Sequence, residues 1–131
     1  MNDLSRSKAR TASLTGLLGI AGVAHSVRPA LFQPLVPERL PGSARSWVLA
    51  SGGAELACAT AVAHPRTRRA GAAASAALFV AVFPGNLKMA RDFRRARKPR
   101  WQRAVVLARL PLQVPLIALA LRVRRARTPS R

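Results

Sequence analysis

Five polar side chains, His25, Glu55, Asn86, Arg109 and Gln113, stand in stretches that are otherwise almost entirely apolar, with Lys88 close to one of them. An ionisable group inside a membrane-spanning helix costs about 2.5 to 3.5 kcal/mol on insertion scales, and it faces a cavity or the interior between helices. The chemistry such residues could do is proton transfer, ligand binding or mutual neutralisation. Arg109 and Gln113 are four residues apart and share one helix face, while Glu55 and Cys58, three apart, share another. Asn86 and Lys88 are about 200° apart around a helix, so at most one points inward, and Lys88 can snorkel toward headgroups. Cys58 is the only cysteine, which excludes an internal disulfide, a CxxC pair and a cysteine-based zinc site and leaves it as a packing residue. His25 has no second histidine near it, because His64 falls at the opposite end of its stretch, so no metal is assigned.

The elements that must position these groups follow from where the charges sit. A net charge of +19 on 131 residues, with a pI near 12, first suggests a nucleic-acid binder. The cations, however, cluster in short tracts between four long apolar stretches, which is a membrane pattern. Six aromatic residues and no Tyr leave little stacking surface for single-stranded nucleic acid, so no nucleic-acid partner is expected. The expected fold class is all-α: an integral membrane, up-down four-helix bundle forming a single domain over residues 1–131. The spans fall at about 11–27, 46–64, 70–90 and 101–121, with basic tails and the lipid bilayer as partner.

The first span is about 17 residues, or roughly 26 Å of helix. Its basic start, apolar middle and the small residues Gly22 and Ala24 also fit a cleaved signal peptide, but three more apolar stretches follow and make an uncleaved anchor the simpler reading. Residues 28–45 carry prolines at 29, 34, 37 and 41, which forbid a regular helix. With Leu31, Phe32, Leu35, Val36 and Leu40 between them, the segment is expected to fold onto the membrane surface as an apolar cap. The short basic link 65–69 suits an antiparallel helix pair. The Ala- and Gly-rich start of the third span allows close helix approach, and the basic segment 91–103 is expected to be a loop facing lipid phosphates.

Threading the spans up and down places His25, Glu55, Asn86, Arg109 and Gln113 in the same half of the membrane. Glu55 and Arg109 are expected to meet there, either as a neutral pair that fixes helix register or as part of a proton or ligand site. Pro84 deprives the Val80 carbonyl of its helix donor, and Pro111 and Pro115 do the same to Leu107 and Pro111. Asn86 and Gln113 are placed to satisfy such freed backbone. Orientation does not follow from charge, since the two sides carry eleven and ten basic residues.

The ordered runs Gly19-Ile-Ala-Gly-Val-Ala-His25, Ser51-Gly-Gly-Ala-Glu55-Leu56, Phe79-Val-Ala-Val-Phe-Pro84 followed by Asn86, and Arg109-Leu-Pro-Leu-Gln-Val-Pro115 resemble the DoxX-like family of small four-helix bacterial membrane proteins. The resemblance covers about residues 14 to 122, and His25, Glu55, Asn86, Arg109 and Gln113 occupy its motif positions; Gly85 stands where Ala is expected. It implies a multi-pass protein of the cytoplasmic (inner) membrane with both termini inside. The wider family includes a subunit of a thiosulfate:quinone oxidoreductase and membrane parts of thiol or oxidative-stress complexes. The implied role is an accessory subunit without independent catalytic activity, or a partner that binds a quinone or another small molecule in a membrane redox complex, with homo-oligomers allowed. No catalytic residue is assigned, and one cysteine supplies no dithiol. The alternative is a small proton-coupled transporter working through Glu55, against which stand the carboxylate's place in the second span, the cation at Arg109 and the lack of an aromatic cage.

Overall fold

The computed structural model describes residues 2–36 and 38–126, without the side chains of Gln102 and Val105. Pro37 of the proline-rich segment and Arg127 and Arg131 of the carboxyl-terminal tail lie outside the described residues. All regular structure among the described residues is helical: α1 (Asp3–Val27), α2 (Ala44–Ala63), α3 (Arg68–Arg95) and α4 (Arg100–Arg125).

Helix starts follow from local capping. The Asn2 side chain accepts from the Ser5 N–H and the Ser43 hydroxyl from the Ser46 N–H, each satisfying a donor that the first helical turn leaves without a partner. Because of the Asn2 cap, α1 begins eight residues before the expected span, with its first two turns polar. The basic segment 91–103 is not the loop that the composition suggested. α3 and α4 run into it from both sides and leave only residues 96–99 between them. The turn is made by Arg97 in the left-handed conformation (φ 50°), after which the Lys98 N–H donates back to the Phe93 carbonyl at 3.3 Å, a helix ending that normally uses glycine.

Successive helices are antiparallel. α1 crosses α2 where Gly22 faces Gly52, α2 meets α3 where Gly71 faces Ala61, and α3 meets α4 where Asn86 faces Gln113. The densest packing is within the pairs α1–α2 and α3–α4; α2–α3 is looser, α1–α4 looser still, and among the described residues α2 and α4 do not pack on each other. An apolar core of Leu14, Leu18, Cys58, Val62, Ala72 and Val123 fills the end where α1 begins and α4 stops. The proline-rich segment forms two 3-10 turns, Pro29–Leu31 and Gln33–Leu35, each with Pro in its first positions, and they pack against α2 at the opposite end.

Three helical stretches are long and apolar enough to cross a membrane: Ala44–Ala63, Arg68–Arg95 and Val106–Arg125. α1 is not among them, since Arg10, Thr11, Ser13, Thr15 and His25 dilute its apolar residues. Its outward face is nevertheless apolar, with Ile20, Val23 and Val27 all exposed.

Candidate functional site

The site is built on two helix pairs. In the first, Gly22 and Gly52 stand three residues before His25 and Glu55, so each glycine shares a helix face with an ionisable group. A Cβ on Gly22 would meet Leu56 Cγ at 2.7 Å and the Gly52 carbonyl at 2.9 Å, and one on Gly52 would lie 2.9 Å from the His25 Cβ. Only glycine permits so close a crossing. The consequence is that His25 Nδ1 lies 2.6 Å from Glu55 Oε2, with the two side chains 14% and 11% exposed. A contact this short, in surroundings this dry, is a strong hydrogen bond, and it is charge-assisted when the carboxyl is ionised. Phe32, brought in by the 3-10 turns, packs on the His25 ring at 4.1 Å between centroids with the planes tilted by 56°, a favourable aromatic geometry. His25 is thus oriented by both its neighbours.

In the second pair, Asn86 Nδ2 donates to Gln113 Oε1 at 3.2 Å, and Gln113 Nε2 donates in turn to the Phe79 carbonyl. Both side chains are buried. The acceptor is one residue before Val80, whose carbonyl Pro84 leaves without a helix donor; the Val80 side chain is exposed. Lys88, on the other side of α3 from Asn86, pairs with Asp92 one turn further on.

Between the two pairs lies a cavity of about 410 Å³ whose lining includes His25, Glu55, Asn86 and Arg109. Gln113 stands behind Asn86 rather than in the lining. Apart from Ser51, the other walls are apolar and include Phe32, Leu35 and Trp47. Trp47 is fixed by its indole N–H, which donates to the Pro41 carbonyl at 2.7 Å.

One contact differs from the sequence expectation. Glu55 pairs with His25, and among the described residues no ion pair within 4.0 Å joins it to Arg109. The reason is positional: α2 and α4 are diagonal neighbours with no direct packing, whereas the two glycines bring α1 onto α2. Arg109 therefore shares the cavity with Glu55 without touching it. Cys58 sits in the apolar core, remote from the cavity, and among the described residues no three His, Cys, Asp or Glu side chains converge as a metal site would require. Sequence reasoning placed Phe32 in a cap on the membrane surface and did not see it as a cavity wall. The equal spacing of Gly22–His25 and Gly52–Glu55 was the available signal for the close helix crossing.

No curated protein and no solved structure shows a significant match to the chain. Residues 14–124 match the family described as Domain of unknown function (DUF8561). Since that match runs through all four helices and encloses every residue lining the cavity, the chain belongs to the DUF8561 family.

Proposed function

We propose that this chain is an integral membrane four-helix bundle of the DoxX-like kind, seated in the cytoplasmic membrane with both termini inside, and that its cavity receives a quinone or a similarly small amphiphile as part of a membrane redox complex. The observation that carries the reading is the cavity: about 410 Å³ with largely apolar walls and a polar side that includes His25, Glu55, Asn86 and Arg109. Small-molecule sites have this composition, apolar lining with a few convergent polar groups. Arg109 and Asn86 carry donors that suit the carbonyl oxygens of a quinone, and the hydrogen-bonded His25–Glu55 pair can hold or pass one of the two protons that accompany its two-electron reduction to the quinol. The electrons belong to partner subunits, which makes the role of this chain accessory. Three apolar helices and the outward apolar face of α1 support the four-span arrangement.

The test uses Trp47, which lines the cavity. In a Trp101→Phe variant it is the only tryptophan, and titration of the purified protein with a short-chain quinone should quench its fluorescence saturably, with weaker binding after Arg109→Leu. Quenching that never saturates, or is identical in both proteins, refutes the reading. The contact between His25 and Glu55 also favours a second reading, proton-coupled transport through Glu55. Proton release on adding small organic cations to the purified protein, without any response to quinones, would select it.

A further inference from the structure

We propose that the end of the molecule remote from the cavity holds the headgroup of an anionic diacyl phospholipid, in a groove between the first half of α1 and the α2–α3 turn. The inference rests on the membrane-spanning reading above but not on the cavity or its ligand. The groove measures about 580 Å³, and its lining includes Lys8, Arg68 and Arg69 together with Ser7, Thr11 and Thr15. The α1 residues that line it recur at intervals of three and four, so they form one helix face.

Charge selects an anion. Arg68 is held in place by its own hydrogen bonds, Nε to the Val62 carbonyl at 3.1 Å and Nη2 to the Ala63 carbonyl at 3.3 Å, across the end of α2. Lys8 and Arg69 are exposed, and among the described residues none of the three cations has a carboxylate within 4.0 Å. Of the four acidic residues in the chain only Asp3 lies at this end, and it does not line the groove.

Depth selects a lipid over a free anion. The groove is many times the roughly 30 Å³ share of one water, and Leu4, Ala12, Gly16 and Ala63 give it apolar surface beside the cations. Thr15 lies seven residues beyond Lys8, about 10 Å further along the helix. That is below the level of the phosphates, where a diacyl lipid presents ester carbonyls. The hydroxyls of Thr11, Ser26, Thr60 and Ser75 each donate to the carbonyl four residues back. The Thr15 hydroxyl oxygen, although buried, has no hydrogen-bond partner among the described residues. Thr15 is part of the groove lining, so this unpartnered donor stands at the groove wall. Cations would thus hold the phosphate and a threonine the ester, two contacts that inorganic phosphate cannot make together.

The test measures thermal stabilisation of the purified full chain in neutral detergent by phosphatidylglycerol, phosphatidylcholine and inorganic phosphate. Phosphatidylglycerol should stabilise at concentrations where the other two do not. Each surface cation contributes about fivefold to anionic-lipid affinity, so K8Q/R69Q should weaken the apparent affinity about 25-fold. R94Q/R95Q, which removes the same charge at the opposite end, should change it less than about twofold. Thr15→Val keeps every cation and should still weaken the lipid by about twofold to tenfold, the worth of one hydrogen bond. Equal stabilisation by phosphatidylcholine, full stabilisation by inorganic phosphate, equal losses in K8Q/R69Q and R94Q/R95Q, or an unchanged response in both K8Q/R69Q and Thr15→Val would each overturn the proposal.

Discussion

Replacing Glu55 by Leu removes the partner of His25, and replacing His25 by Leu leaves Glu55 nearly buried beside no base within hydrogen-bond reach. A hydrogen bond to a charged group contributes about 1.5 to 3 kcal/mol net, and stranding a buried charge costs more, about 3 to 5 kcal/mol. Each single variant is therefore expected to be destabilised strongly, and the double variant, which strands nothing, to recover much of the loss. The coupling energy of the cycle should be about 1.5 to 3 kcal/mol, equivalent to roughly tenfold to a hundredfold in the folding equilibrium. The same cycle between Glu55 and Arg109 should give less than about 0.5 kcal/mol, the additivity expected of groups that do not touch. Both cycles can be read by titrating the detergent-purified protein with a denaturing detergent and following helix content. A Glu55–Arg109 coupling larger than the Glu55–His25 coupling would refute the arrangement of the site, since it would mean that the carboxylate turns to α4 rather than α1.

Adjacent glycines should behave oppositely: Gly52→Ala drives a Cβ to 2.9 Å from the His25 Cβ and 3.1 Å from the Gly22 carbonyl, costing about 1 to 3 kcal/mol. Gly53→Ala, whose Cβ meets nothing within 4 Å, should instead gain roughly 0.5 to 1 kcal/mol of helix propensity, and equal effects in a thermal melt would contradict the crossing. Arg97→Gly relieves a left-handed φ of 50° and should raise stability by up to about 1 kcal/mol; a loss of stability in the same melt would count against the turn. Washing membranes with alkaline carbonate and high salt should leave the chain in the pellet, because screening releases only proteins held by surface charge, and release into the supernatant would disprove the spans.

How much of this was legible beforehand divides along physical lines. Helix number and rough limits follow from local composition, which is why the four apolar stretches each lie within, or within one residue of, a helix. The ends moved because capping by Asn2 and Ser43 and the good helix propensity of Arg and Ala extend a helix beyond its apolar part. Depth along a helix also follows from counting, so His25, Glu55, Asn86 and Arg109 could be assigned to one level. Rotation about the helix axis and the choice of neighbour could not. Whether Glu55 turns toward α1 or α4 depends on how closely each helix approaches α2, and that distance is set by Gly22 and Gly52 acting together across a gap of thirty residues. Phe32 illustrates the same limit: prolines announce that residues 28–45 are not an α-helix, but not that two 3-10 turns bring a ring onto His25.

The deep polar contacts all lie inside a helical hairpin: His25 with Glu55 between α1 and α2, Asn86 with Gln113 and Gln113 with Phe79 between α3 and α4. A hairpin that satisfies its own polar groups can leave the insertion machinery and enter lipid before its sister is made. On the membrane-spanning reading, biogenesis of this chain then needs no holding step in which α2 waits, with its carboxylate bare, for an arginine that is translated 54 residues later. Of the ionisable residues described in the cavity, Arg109 is the one left to find its surroundings when the second hairpin docks, so assembly of the cavity and pairing within the first hairpin are separate events in time.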